Sequence, residues 1–156
     1  FDSLIRLKAC KKIIALSTDH VYKGTTAPYD VDAGRAEEPI NVYGQTKYEM
    51  EQYLMTVSDK SQVVCLRSSI ILGTKAPIAP DSSHATFLHF CASRDGQETS
   101  FWTDECRSVI WVEDVVAVVR WLVNNHHIAE SFAVYNMGGP QSVSRFDMAK
   151  AVFKHL

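Results

Sequence analysis

A tyrosine and a lysine four residues apart are the side chains of this sequence best suited to chemistry. Tyr43 and Lys47 lie in a segment of good helix formers, which predicts a helix from about Tyr43 to Val57. Residues four apart share one face of a helix, so the ammonium group is expected near the phenol. Its positive charge stabilises the phenolate, which suits the phenol to proton transfer near neutral pH.

A hydroxyl side chain is predicted beside this pair. The apolar run from Ile13 to Leu16 predicts a buried strand, and Thr18 follows where that strand ends. Parallel sheets place their ligand sites at the carboxyl ends of the strands. Thr18 is therefore expected to hydrogen-bond the same substrate oxygen as Tyr43. A Tyr-x-x-x-Lys pair alone is more often a surface pair whose ring packs on the core. The neighbouring sequence motifs must therefore distinguish a catalytic pair from a surface pair.

Alternating strands and helices must position these groups. Apolar runs predict further strands at 63–66 and 132–137, and short strands at 99–102 and 109–111. Helices are expected at 1–10, 86–93 and 114–125, and after Ser144, which forms a capping-box pair with Asp147. Continuously apolar strands separated by helices indicate βαβ units on a parallel sheet. The predicted fold class is α/β.

Composition narrows the class of protein. The 156 residues include 16 basic and 18 acidic side chains, a net charge of −2, and 46% are hydrophobic, which is typical of one soluble globular domain. The balanced charge argues against nucleic acid or a membrane surface as partner, and the apolar runs are shorter than the ~20 residues of a membrane span. Scattered cysteines without C-x-x-C indicate no metal site and a reducing, cytoplasmic location.

The order of short motifs along the chain resembles the extended short-chain dehydrogenase/reductase family. The first strand leads into Ser17-Thr18-Asp19 and Val21-Tyr22, and Asn41-x-Tyr43-Gly44-x-x-Lys47 and Glu51 follow. The resemblance continues through Leu66-Arg67-Ser68-Ser69, Asp104-Glu105-Cys106-Arg107, Val112-Glu113-Asp114-Val115 and Tyr135-Asn136-Met137-Gly138-Gly139. It covers nearly the whole chain, and it is strongest to the branch holding dTDP-4-dehydrorhamnose reductases and the regulatory (beta) subunit of methionine adenosyltransferase.

The resemblance implies a role for each matching residue and a cofactor, NADP or NAD. Tyr43 would give a proton to a substrate carbonyl, Lys47 would bind the nicotinamide ribose, and Thr18 would complete the catalytic set. Cofactor-binding residues would be Ser17, Tyr43, Lys47 and Ser69, and residues near a nucleotide-sugar substrate would be Asp19 and Arg107.

The resemblance also implies an architecture. Residues 1–156 would form the C-terminal half of a Rossmann-type doubly wound parallel sheet, with a small substrate lobe built mainly from about 70–112 and 138–156. The sequence holds neither G-x-G-x-x-G nor G-x-x-G-x-x-G, so the phosphate-binding turn is expected upstream of Phe1 in a longer parent. Ile70 stands where rhamnose-type reductases carry a tryptophan, which leaves the deoxysugar open.

Three functional hypotheses follow. The preferred one is NAD(P)-dependent reduction of a 4-keto nucleotide sugar by hydride transfer, with tyrosine as proton donor. The second is a non-catalytic, NADP-binding regulatory subunit that binds methionine adenosyltransferase. The third is a nucleotide-sugar epimerase or dehydratase. In each case the resemblance also allows a homodimer.

Overall fold

A three-stranded parallel sheet organises the part of the chain that carries the predicted site. The computed structural model describes residues 3, 11–25, 27–31, 38–73, 87–125 and 130–155. Strands β1 (Lys12–Thr18), β2 (Gln62–Ser68) and β6 (Phe132–Met137) pair in the order β1-β2-β6. Thr18 lies opposite Ser68, and Ser68 lies opposite Met137, so all three strands end at one edge. The α/β class and the parallel sheet are confirmed.

Four helices are present in the described ranges: α1 (Val42–Thr56), α2 (Phe87–Ala92), α3 (Val112–Asn124) and α4 (Arg145–Phe153). Each was predicted to within two residues at its start, and the capping box of Ser144 and Asp147 is formed. A short 3₁₀ turn (Asp19–Val21) follows β1 directly. Apart from residue 3, the helix expected at 1–10 lies outside the described residues.

The chain divides into two compact units, and the first comprises Phe1–Ser68 and Ala117–Met137. Its core is formed by apolar side chains of β1, α1 and β2: Ile13, Ala15, Leu54, Val63 and Cys65. Six consecutive residues of β2 are buried, as expected for a central strand covered on both faces. Lys12 Nζ donates to the carbonyls of Leu122 and Asn125 at 2.6 and 2.7 Å, which places a cation at the C-terminal end of α3.

The second unit comprises Ser69–Val116 and Gly138–Leu156. It contains two pairs of two-residue strands: β3 (Ile71–Leu72) with β5 (Ile110–Trp111), which are parallel, and β4 (Cys106–Arg107) with β7 (Val143–Ser144), which are antiparallel. Four phenylalanine rings of this unit form a cluster in which neighbouring ring centroids are 6.1 to 6.4 Å apart: Phe87, Phe90, Phe101 and Phe153.

The strand expected at 99–102 is not formed. The segment 99–102 is irregular backbone rather than a strand, because Phe101 packs into the phenylalanine cluster instead of alternating along a strand. Trp102 and Trp121 are 71% and 59% exposed. Within the described part of the chain, no helix is both long and apolar enough to span a membrane.

Candidate active site

Thr18 ends β1 and joins it to the turn that follows. Its side chain is buried, and Oγ1 accepts a hydrogen bond from His20 N at 3.2 Å, which caps the 3₁₀ turn. The same hydroxyl donates to Asp19 Oδ1 at 3.4 Å. A short polar side chain at a strand end can thus satisfy the backbone of the turn and remain at the sheet edge where ligands bind.

The start of α1 is packed against that turn. Asn41 is the N-cap residue, and its Oδ1 accepts from Gly44 N at 2.8 Å. A Cβ atom on Gly44 would lie 2.3 Å from the carbonyl oxygen of His20, so only glycine permits this approach. Ile40 N also donates to His20 O at 3.3 Å. These contacts fix the first turn of α1 beside the end of β1.

Tyr43 and Lys47 lie together on the first two turns of α1. Lys47 Nζ is 5.9 Å from the centroid of the Tyr43 ring, so the expected shared helix face is confirmed. Lys47 Nζ also donates to Leu16 O of β1 at 2.9 Å, which ties the ammonium group to the strand that ends in Thr18. The Tyr43 side chain is 52% exposed and is therefore accessible to a ligand.

A buried polar network lies one helical turn further along this face of α1. Glu51 and Arg67 form a salt bridge in which Arg67 Nη2 donates to Glu51 Oε2 at 2.7 Å, and both side chains are at least 95% buried. Ser17 Oγ donates to Glu51 Oε1, so the hydroxyl of Ser17 is bound to the carboxylate. The network therefore joins α1 to both β1 and β2.

Tyr22 extends this network to β6. Arg67 Nη1 donates to Tyr22 Oη at 2.9 Å, and Tyr22 Oη donates to Asn136 Oδ1 at 2.6 Å. Burial disfavours the charged guanidinium, but its hydrogen bonds to Glu51 and Tyr22 outweigh this cost and raise the pKa of Arg67. The guanidinium of Arg67 is therefore held inside the first unit by an ion pair and a hydrogen bond.

The remaining predicted site residues lie in different surroundings. Asp19 follows Thr18 in the 3₁₀ turn of the first unit. Ser69 and Arg107 belong to the second unit, where Arg107 is half-buried on β4 and pairs with Val143. Ser69 Oγ is buried, and no described side chain or backbone group hydrogen-bonds with it.

The structure thus brings together Thr18, Tyr43 and Lys47 and adds residues that sequence reasoning did not assign to the site. Asn41 belongs to a quoted motif and His20 stands between two of them, but their contact joins residues 21 positions apart and has no local pattern. The Glu51–Arg67 pair cannot be predicted from sequence spacing either. An arginine in a strand that is predicted to be buried does, however, indicate that a partner of opposite charge is needed.

A parallel sheet with a threonine at one strand end, and a Tyr-x-x-x-Lys helix anchored to that strand, define a protein with a Rossmann-type α/β fold. The sequence profile named RmlD substrate binding domain matches residues 7–156, and the chain belongs to this family.

Two curated relatives illustrate the family's range. The chain is 25% identical over 141 residues to "Methionine adenosyltransferase 2 subunit beta" of Xenopus tropicalis, covering 90% of this chain and 40% of that protein. It is 27% identical over 148 residues to "dTDP-4-dehydrorhamnose reductase" of Aggregatibacter actinomycetemcomitans, covering 90% and 46%. The chain therefore spans less than half the length of these relatives.

A solved structure shows the same fold. The dTDP-4-dehydrorhamnose reductase of Bacillus anthracis, determined in complex with NADP, superposes with a TM-score of 0.74 at 24% identity. The match covers 92% of this chain and 47% of that one, so this chain corresponds in fold to about half of that protein.

Proposed function

We propose that the whole protein reduces a 4-keto nucleotide sugar with NADPH or NADH. The observation that carries this proposal is the placement of Tyr43 and Lys47 beside the strand end of Thr18, with Lys47 Nζ fixed on Leu16 O at 2.9 Å. The similarity to dTDP-4-dehydrorhamnose reductases supports the same chemistry. Ser69 and Arg107 belong, in this proposal, to the cofactor and substrate contacts of the second unit.

The residues present fit the nicotinamide half of the cofactor. An ammonium group has three N–H donors, and Lys47 uses one on Leu16 O, which leaves donors for the ribose hydroxyls. When bound, the reduced cofactor supplies the hydride that reaches the carbonyl carbon. Tyr43 supplies the proton to the carbonyl oxygen, and Thr18 helps to hold that oxygen, so the ketone becomes an alcohol.

Replacing the phenol tests this role. In the whole protein, Tyr43→Phe removes the proton donor but keeps the ring, so turnover of 4-keto nucleotide sugars should fall by about 100-fold or more. NADPH affinity should change little, because Lys47 and its contact with Leu16 remain. NADPH oxidation is followed by absorbance against a panel of 4-keto nucleotide sugars, with Tyr53→Phe on the same helix as the matched control.

The similarity to methionine adenosyltransferase 2 subunit beta favours a second candidate, a regulatory subunit that binds methionine adenosyltransferase. Partner binding would then be unaffected by loss of the Tyr43 hydroxyl. A protein that oxidises no NADPH with any sugar of the panel, yet retains methionine adenosyltransferase equally with and without that hydroxyl, would contradict the reductase and support this candidate.

A further inference from the structure

The side-chain amide of Asn41 has a defined orientation. The backbone N–H of Gly44 is a donor, so the Asn41 atom that it meets at 2.8 Å must be the carbonyl oxygen. The NH₂ group of Asn41 is then the part of the amide that faces His20, with Nδ2 2.8 Å from His20 Nδ1. Helix capping therefore determines which way this amide points.

The orientation of Asn41 selects the tautomer of the His20 ring. An amide NH₂ can only donate, so His20 Nδ1 must accept, and the single ring proton of the neutral imidazole must reside on Nε2. Among the described residues, none accepts a hydrogen bond from His20 Nε2. A partly exposed N–H donor is thus present at this position.

His20 lies between the predicted catalytic residues. Its backbone N–H donates to Thr18 Oγ1, and its backbone carbonyl contacts the start of α1 at Ile40 and Gly44. Its ring meets the Tyr43 ring edge to face, with centroids 5.8 Å apart and an interplanar angle of 80°. The backbone and the ring of His20 are therefore both fixed relative to the phenol that would donate the proton.

We propose that His20 is a specificity-determining residue of the candidate active site. Asn41 holds it as the Nε2–H tautomer, and this N–H donates a hydrogen bond to an oxygen of the same sugar that Tyr43 contacts. Its ligand is a hydroxyl, carbonyl or ether oxygen close to the reacting carbonyl. The inference rests on the proposed function for the identity of the ligand, whereas the tautomer stands on the geometry alone.

The tautomer is tested without any activity. Nitrogen NMR of ¹⁵N-histidine-labelled whole protein distinguishes a protonated ring nitrogen from an unprotonated one, and His20→Phe identifies the His20 signals among those of the other histidines. We expect Nδ1 unprotonated and Nε2 protonated. Asn41→Asp keeps an N-cap acceptor for Gly44 but presents an oxygen to His20, so Nδ1 should gain a proton. Asn41→Ser also keeps the cap but is too short to reach the ring, and is the matched control.

Kinetics of the whole protein test the donor role. His20→Phe keeps a ring beside Tyr43 but has no N–H, so kcat/KM for the preferred 4-keto nucleotide sugar should fall about tenfold, mainly through KM, with the Kd of NADPH unchanged. His20→Gln carries an amide N–H near the position of Nε2 and should recover most of the loss.

The outcomes separate the two proposals. A proton on Nδ1 of the unmodified protein, or wild-type kcat/KM in His20→Phe, overturns the inference while leaving the reductase intact. A protein that turns over no sugar of the panel overturns both the proposed function and the donor role, and the NMR result then judges the tautomer by itself.

Discussion

At the scale of single residues, the buried Glu51–Arg67 pair connects stability to the candidate site. Tyr43, Lys47 and Glu51 follow one another at intervals of four on α1, so they share one face of the helix. Glu51 is bound to Arg67 on β2, and Lys47 is bound to Leu16 on β1. The ion pair therefore holds the helix that presents the phenol.

Neutralising Glu51 should destabilise the protein strongly. Glu51→Gln keeps the shape but leaves the Arg67 guanidinium buried beside an uncharged amide, and breaking such a pair costs about 3–5 kcal/mol of unfolding free energy. Glu49→Gln on the same helix removes an exposed carboxylate that contacts only Gln45 in the described structure, and should cost under about 0.5 kcal/mol. Urea unfolding measures both.

A double replacement keeps this prediction testable if Glu51→Gln does not fold. Glu51→Leu combined with Arg67→Leu removes both charges, and it should be more stable than either single replacement. A Glu51→Gln protein within about 1 kcal/mol of wild type would contradict the anchoring role, since that is the scale of an exposed pair.

Cysteine reactivity should follow burial. Burial first, and the negative charge of Glu51 second, raise the pKa of Cys65 to about 12, so almost no thiolate forms at neutral pH. Cys106 is exposed on β4. A short iodoacetamide pulse read by peptide mass spectrometry should modify Cys106 and spare Cys65 until the protein is unfolded in urea. Rapid native labelling of Cys65 would show that β2 is not buried as described.

At the scale of elements, the sequence predicted the helices and strands that contain a long run of apolar or helix-forming residues. Strand β1 and helix α1 were located to within two residues, because a run of apolar residues and a run of helix formers each carry a signal over several positions. The two-residue strands β3, β4 and β7 have no such signal, since their pairing is set by residues far along the chain. The segment 99–102 was mistaken for a strand because Thr99, Phe101 and Trp102 are residue types common in strands.

The same limit applies to the site. The spacing of Tyr43 and Lys47 is local, so their shared face was predictable, whereas the contact of Asn41 with His20 and that of Glu51 with Arg67 depend on the packing of α1 against the sheet. Tertiary packing of this kind brings together residues that sequence spacing alone leaves unrelated.

The cap of α4 gives an element-scale prediction with a pH dependence. Ser144→Ala removes the hydroxyl that bonds Asp147 and should lower the unfolding free energy by about 1 kcal/mol, whereas Ser144→Thr keeps a capping hydroxyl and serves as the control. Hydrogen bonds from the side chain and the backbone of Ser144 lower the pKa of Asp147 below its ordinary 3.8.

The sign of that dependence follows from the lowered pKa. The unfolded state binds the proton more readily, so the contribution of the Ser144–Asp147 contact is complete above pH 3.8 and is lost as the pH falls through the folded-state value. The stability difference between wild type and Ser144→Ala should therefore narrow in acid. A difference that stays constant from neutral pH down to pH 3 would contradict the capping box as its source, since Asp147 would then be titrating normally in both proteins.

At the scale of the whole molecule, the side chains and turns present in the 156 residues determine how well this chain can bind a dinucleotide by itself. The first unit carries Tyr43 and Lys47, which suit the nicotinamide end of a dinucleotide, and the second carries Arg107, whose planar guanidinium suits a diphosphate. The pyrophosphate of the cofactor needs a further feature, a glycine-rich turn that presents backbone N–H groups at a helix N-terminus. The seven glycines of this sequence are not spaced to form one.

The 156-residue chain by itself should therefore bind NADPH weakly. Lys47 can contact the ribose, but one ammonium group already bonded to Leu16 O cannot replace several backbone donors and a helix dipole beneath two phosphates. A fluorescence titration of the isolated chain should show no saturation in the micromolar range, whereas the whole protein should saturate there. Lys47→Met in the whole protein should weaken binding without abolishing it, because the phosphates would still be held. Micromolar affinity in the isolated chain would mean that other residues of the chain hold the pyrophosphate, and Arg107→Ala would then test the guanidinium of the second unit.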